Sequence, residues 1–357
     1  MSVQQPHDRT PDAGARVRLL HGISLDRVTS GTLIGVVAGL LAVCAYFWAT
    51  EPLFMTWSNW QNIIRAESVV AVLAIGTTFV LLTGGIDLSI ASMTAVSAMV
   101  LAVLLQDGTD WRIGILVCVA TGFGMGLLNG ALIGLAKIPF FVVTLGTLAI
   151  FQSVALLVTS GGAGVSLFGT ADFGPLSDAI IGSAGPVPNL LIIVTVLYAG
   201  FSFILSYTEF GRSVYAVGAN REAARLIGIN VTLVLVSVYA ISGLTAGAAG
   251  VVRTTLLAGA SPIASTNLML TVVTAVLIGG IALTGGRGNL LGTIIGVLFL
   301  GVIQNGLTLS GVEEFWQGVV TGLILIAAVG IGALREFGFP LRRLRAGVGA
   351  APTKGRL

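Results

Sequence analysis

Charge is what this chain has least of: Asp, Glu, Lys and Arg together make up 9% of its 357 residues. Hydrophobic residues make up 55%, and the mean hydropathy is +0.99. A soluble domain carries roughly 25% charged residues, so this composition excludes a water-soluble fold. Catalytic raw material is missing as well. The two histidines, His7 and His21, both precede the first apolar run, which excludes zinc hydrolysis and histidine proton relays within a bilayer. The two cysteines, Cys44 and Cys118, lie singly inside apolar runs without metal-ligand spacing and read as small core residues. No Gly-Lys pair occurs, so there is no P-loop and no usual means of binding ATP. Carboxylates are missing from the apolar runs except Glu67 and Asp87, which the run boundaries place near ends. A charge at mid-bilayer costs about 2.5–3.5 kcal/mol, a cost that proton-coupled carriers accept to gain a titratable group. Without one, the energy for any transport is expected to come from elsewhere. No nucleophile–base or metal constellation remains, so neither enzyme activity nor a bound cofactor is expected.

What is present is apolar length. Ten runs, at about 30–50, 66–83, 88–106, 113–136, 139–160, 189–207, 232–252, 268–284, 289–309 and 315–334, approach the roughly 20 residues that cross a bilayer as helix. They are continuously apolar with no period-2 alternation, which favours helices over a barrel. The expected fold is all-α integral membrane, a polytopic bundle of about ten transmembrane helices. Charge placement tests this independently. With a cytoplasmic amino terminus, fifteen of the 18 Lys and Arg fall on inside segments, and only Arg65, Arg112 and Arg253 fall outside. Both termini are therefore expected in the cytoplasm. The predicted organisation is a disordered cytoplasmic tail at 1–29, a transmembrane domain at 30–335 and a basic cytoplasmic tail at 336–357. The first run is too long for a signal peptide and has no small-x-small site behind it. Arg335, Arg342, Arg343 and Arg345 directly follow the last run, as a lipid-facing anchor does, and no nucleic-acid partner is expected.

Glycine is abundant, at 49 residues. Gly122, Gly126 and Gly130 recur on one face of the fourth run, Gly243, Gly247 and Ala248 on the seventh, and Gly292 and Gly296 on the ninth. Small faces let helix backbones approach closely, and packing within the chain is preferred here to a dimer seam. Three runs are expected to end in similar breaks: Thr83-Gly84-Gly85, Ser160-Gly161-Gly162 and Thr284-Gly285-Gly286. They hint at an internal duplication. The longest outside loop, 161–188, has no Lys or Arg and reads as a docking surface or lid.

One polar loop interrupts the runs at about 208–231. Asn220 is placed to cap a short helix, Glu222 sits in its first turn, and Gly228 can close it. Within that helix Ala223, Leu226 and Ile227 share an apolar face, with Arg221, Glu222 and Arg225 covering the rest. Such a face on a solvated helix implies another surface, either the bundle itself or a partner protein.

The stretch GRSVYAVGANREAARLIGIN resembles the cytoplasmic loop of ABC-importer permeases for monosaccharides, the ribose, xylose and arabinose type. LLTGGIDLS at 81–89, GLLNGALIG at 126–134, KIPFFVVTLGTLAI at 137–150 and GGRGNLLGTIIGVLFLGVIQNGL at 285–307 fit the same family, in order, over about 60–334. The chain departs from it at Ala91, Phe140, Phe151-Gln152-Ser153 and Gln304, so the resemblance carries the transporter class and not the sugar. It implies an import complex. A second permease chain, identical or homologous, completes the pathway, a cytoplasmic ABC ATPase holds ATP and magnesium, and a periplasmic binding protein delivers the monosaccharide. It also implies that Gly218, Asn220, Glu222, Ala223, Ala224, Arg225, Leu226 and Gly228 meet the ATPase. Asp87 is either a cap for the third helix, helped by Ser89, or a gate or coupling contact. Asn129, Thr144, Gln152, Gln304 and Asn305 are polar residues within runs that either line the substrate path or tie helices together at roughly 0.6–2 kcal/mol each. Arg287 is expected at the cytoplasmic boundary. The competing function is an autonomous secondary carrier of a neutral solute, powered by an ion gradient.

Overall fold

The computed structural model describes residues 26–159, 162–263 and 266–337. Every predicted run coincides with a helix: α1 (Asp26–Thr50), α2 (Trp57–Leu82), α3 (Ile90–Gln106), α4 (Trp111–Gly134), α5 (Phe140–Leu157), α7 (Asn189–Tyr207), α10 (Val231–Leu257), α11 (Thr266–Ile278), α12 (Leu290–Leu309) and α13 (Glu314–Phe337). Three short helices lie between them, α6 (Phe173–Ile181), α8 (Glu209–Ala219) and α9 (Arg221–Leu226). Seven helices are long and apolar enough to cross a membrane, and Ile90–Gln106, Asn267–Ile278 and Phe315–Gly330 are shorter apolar stretches. The chain is thus a polytopic helical membrane protein. The segments 1–25 and 338–357, which contain nearly all of the two predicted tails, lie outside the described residues.

Two helices form the centre. All residues from Glu67 to Leu82 on α2 are buried, and α10 packs along both α2 and α4. The α4–α10 seam explains the small-residue faces. A Cβ added at Gly122 would lie 2.6 Å from the Gly247 amide nitrogen, and one at Gly126 would lie 2.8 Å from the Gly243 Cα. The two faces meet each other backbone to backbone, as intramolecular packing requires. Gly292 and Gly296 do the same for α12 against Ala275 of α11 and Gly279 just past its end. The perimeter is apolar and exposed, for example at Leu116, Leu145, Val196 and Leu323, as lipid-facing surfaces are.

Three boundaries differ from the sequence reading. α2 begins at Trp57, nine residues before the predicted 66, with Thr56 accepting from the Asn59 amide as its cap. Its first turns carry Ser58, Asn59, Gln61, Asn62 and Arg65, which lower the local hydropathy without breaking the helix. Glu67 is therefore mid-helix and buried, not near an end. α10 runs on to Leu257, taking in Arg253, and a left-handed Ala258 ends it. α11 stops at Ile278, where Gly280 takes φ +92°, so the turn at Thr284 lies beyond the helix instead of ending it. Gly84 does follow the end of α2 directly, whereas Ser160 and Gly161 lie outside the described residues.

The 161–188 segment is largely folded onto the bundle. β1 (Val165–Ser166) pairs antiparallel with β4 (Gly259–Ala260), and β2 (Ser183–Ala184) pairs with β3 (Val187–Pro188). Leu167 and Leu176 are fully buried beneath it.

Candidate functional site

Residues 208–231 fold as two helices where the sequence suggested one. The Thr208 hydroxyl accepts from the Gly211 amide at 3.2 Å and starts α8, whose Gly211, Val214 and Val217 are buried. Asn220 then caps α9, its Oδ1 accepting from the amides of Glu222 at 2.9 Å and Ala223 at 3.0 Å. Gly228 closes it with φ +88°. Both caps were legible because a cap is local chemistry. α8 was not, since only one narrow stripe of it is apolar and buried.

The inner side of this unit is locked to two glycine turns. The Phe210 ring stacks on Phe79 of α2 at 6.2 Å. Arg221 donates from Nη2 to the Thr83 carbonyl at 3.1 Å, and the Tyr215 hydroxyl donates to the Gly288 carbonyl at 2.7 Å. Burial pushes the Tyr215 phenol up to about 12, so it remains a donor at physiological pH. The Gly286 amide donates to the Leu82 carbonyl at 2.8 Å, joining one Thr-Gly-Gly turn to the other. Gly218 fits where they meet, since a Cβ there would lie 2.6 Å from the Gly286 nitrogen. The outer side is free. Leu226 is 84% exposed and Ile227 74%, and Ala223, Glu222 and Arg225 are exposed too, while Ala224 alone is buried. The predicted apolar face does not pack on the chain's own bundle.

Behind the first turn, Asp87 is buried and fully engaged. Its Oδ1 accepts from the Ser89 amide at 3.0 Å and the Ser89 hydroxyl at 2.6 Å, and its Oδ2 accepts from the Ser242 hydroxyl of α10 at 2.8 Å. Ser89, not Asp87, occupies the cap position of α3, and it makes no side-chain cap bond. The capping reading of Asp87 is thus replaced by a tie between the 83–89 loop and α10. Asn129 of α4 donates to the Ser89 hydroxyl at 2.9 Å. Thr144 of α5 donates to the Phe140 carbonyl at 2.9 Å and approaches the Ile86 carbonyl at 3.5 Å.

The structure therefore gathers Asp87, Asn129 and Thr144 around one loop and leaves the other polar residues elsewhere. Gln152 donates to the Pro262 carbonyl at 2.8 Å, at the opposite end of the bundle. Asn305 exchanges amide bonds of 2.8 and 2.9 Å with Asn59 across the α2–α12 contact. Gln304 lines a cavity of about 300 Å³ between α2, α11, α12 and α13. Glu67 lines the same cavity, and the sequence reading missed it because the start of α2 was set too late. Among the described residues no cluster of His, Cys, Asp and Glu could hold a metal ion.

Comparison with known proteins places residues 59–329 under the family model described as branched-chain amino acid transport system / permease component. The ribose import permease protein RbsC of Bacillus subtilis is 35% identical over 304 residues, covering 83% of this chain and 91% of the relative. RbsC of Escherichia coli K12 is 34% identical, with 81% and 90% covered. The D-allose transport system permease protein AlsC of the same strain is 34% identical, with 83% and 90% covered.

Proposed function

Because the chain belongs to the branched-chain amino acid transport system / permease component family, we propose that it is the permease subunit of an ATP-binding-cassette importer carrying a neutral monosaccharide inward. The observation that carries this reading is the α8–α9 unit, locked by hydrogen bonds to both glycine turns while Leu226 and Ile227 stay exposed. A helix presented in this way fits a groove on a cytoplasmic ATPase, where its apolar residues are the anchors. Movement of the ATPase is then handed through Arg221 and Tyr215 to the turns, and from the turns to α2 and α12. The bonds at Thr83 and Gly288 make that transmission rigid, and the contact at Gly218 leaves no slack.

The sugar rests on the relatives, two named for ribose and one for allose. Ten spans with both termini cytoplasmic rest on the match of ten runs to ten helices and on the placement of fifteen of the 18 basic residues. A second permease chain, homo- or heteromeric, and a periplasmic binding protein complete the complex. ATP and magnesium belong to the ATPase, and this chain performs no catalysis. A secondary carrier is the second reading, and buried mid-helix Glu67 is what favours it.

Reconstitution separates the two. The chain alone in proteoliposomes should neither hydrolyse ATP nor accumulate sugar. Adding its ATPase and binding protein should restore ATP-driven uptake of a pentose or hexose. Uptake by the chain alone under a proton or sodium gradient would establish the carrier instead, and three-component uptake of amino acids only would keep the mechanism and refute the substrate.

A further inference from the structure

Glu67 is the eleventh residue of the 26-residue α2, about 15 Å along it from its start. Its side chain is 7% exposed, and its Oε2 is buried with no hydrogen-bond partner among the described residues. A bare carboxylate oxygen away from water is costly unless something donates to it. The packing around it is built for it: a Cβ at Gly301 of α12 would lie 2.7 Å from the Glu67 Cδ, so only glycine there lets the carboxylate lie across α12.

The cavity it lines is at the small end of ligand sites, which run about 300–1,000 Å³. The rest of its polar wall is Asn267, Thr271 and Thr274 of α11, Gln304 of α12, and Gln317 and Thr321 of α13. Thr274 and Thr321 give their hydroxyl hydrogens to the carbonyls of Leu270 at 2.6 Å and Gln317 at 3.0 Å, so both oxygens face the cavity as acceptors, that of Thr321 already receiving the Gln304 amide at 3.5 Å. The wall sets the acceptors of Glu67 and Thr274 beside the amide donors of Asn267 and Gln304, and so suits a ligand whose groups both donate and accept, as hydroxyls do. A cation is disfavoured by Arg65 and Arg253, which line the adjoining cavity across Ala66 and Leu268 and each keep a buried, unpartnered nitrogen. An anion is disfavoured by Glu67 itself. We infer that this cavity is a binding site within the permease for a neutral polyhydroxylated solute, with a ligand hydroxyl donating to Glu67. The inference rests on the proposed transport function and specifies where in the chain the solute pauses.

The test measures equilibrium binding of D-ribose, D-allose and their singly deoxygenated analogues to the permease–ATPase complex in nanodiscs, without binding protein. The wild type should bind weakly and saturably. Glu67→Leu should weaken binding by about tenfold or more, and Glu67→Gln by less, because the amide keeps an acceptor. Thr321→Val, on the far wall, should weaken it without disturbing α2. One deoxy analogue should lose affinity in the wild type and lose nothing further in Glu67→Leu, a coupling that a merely structural role would not produce. Undiminished binding in all three variants, strictly additive losses, or a wild type that transports sugar but shows no saturable binding each overturn the site. A wild-type complex that transports no sugar would instead defeat the proposed function.

Discussion

At Asp87 a loop carboxylate has been taken out of water, which is tolerated only where its oxygens are bonded. Its partners are Ser89 two residues on and Ser242 in α10, 155 positions away. Truncation to Asp87→Ala would leave the Ser242 hydroxyl and the Asn129–Ser89 relay without their acceptor. The expected cost is about 1–3 kcal/mol, with a lower melting temperature in detergent. Asp87→Asn, which keeps one oxygen acceptor, should lose less, and an alanine variant that melts like the wild type would remove Asp87 from this role. Local residues were legible from sequence and distant ones were not. Asn220 and Gly228 act within one helical turn, so spacing revealed them. The partnership of Asp87 with Ser242 depends on how α10 crosses the loop, and Glu67 was misplaced because polar side chains on the first turns of α2 mimic a loop.

Elements carry their own predictions. The α8–α9 unit has an inner face committed to the bundle and an outer one left open, so the two can be broken separately. Replacing Leu226 and Ile227 together by Asp should abolish co-purification with the ATPase and leave insertion unchanged, because both side chains are exposed in the isolated chain. Retained co-purification would mean that the apolar face is not the anchor. Gly218→Ala acts on the other face. The added methyl meets the Leu82 carbonyl and the Gly286 amide, both backbone, so the unit must lift from the turns. The complex should still assemble and hydrolyse ATP while transport falls about tenfold, a loss of coupling and not of affinity. Transport at the wild-type rate would show that the contact transmits nothing. The outer face was visible in the spacing of Ala223, Leu226 and Ile227. The inner one was not, because the second turn that it touches comes from residues 284–288, far along the chain.

For the whole molecule, apolar length and charge placement were enough to give the class, the order of helices and most of their bounds, since a bilayer imposes one length on every span. Which helices lie at the centre was not legible, because in lipid a buried helix and a peripheral one are equally apolar. α2 and α10 became distinguishable only once their small and polar residues were seen to meet. Orientation is the part of the architecture that a chemical experiment reads directly. Under the proposed topology the 161–188 segment, which lacks Lys and Arg, is expected outside, and the carboxyl-terminal segment, with its cluster of arginines, is expected inside. Single cysteines at Ala179, exposed on α6, and at Thr353 would be introduced in a background lacking Cys44 and Cys118. An impermeant thiol reagent added to intact cells should label position 179 and spare 353, and permeabilised cells should be labelled at both. Labelling of 353 in intact cells would require an odd number of spans or an inverted bundle. Labelling of 353 with 179 spared, the pattern of an inverted bundle, would put the α8–α9 unit on the face away from any cytoplasmic ATPase.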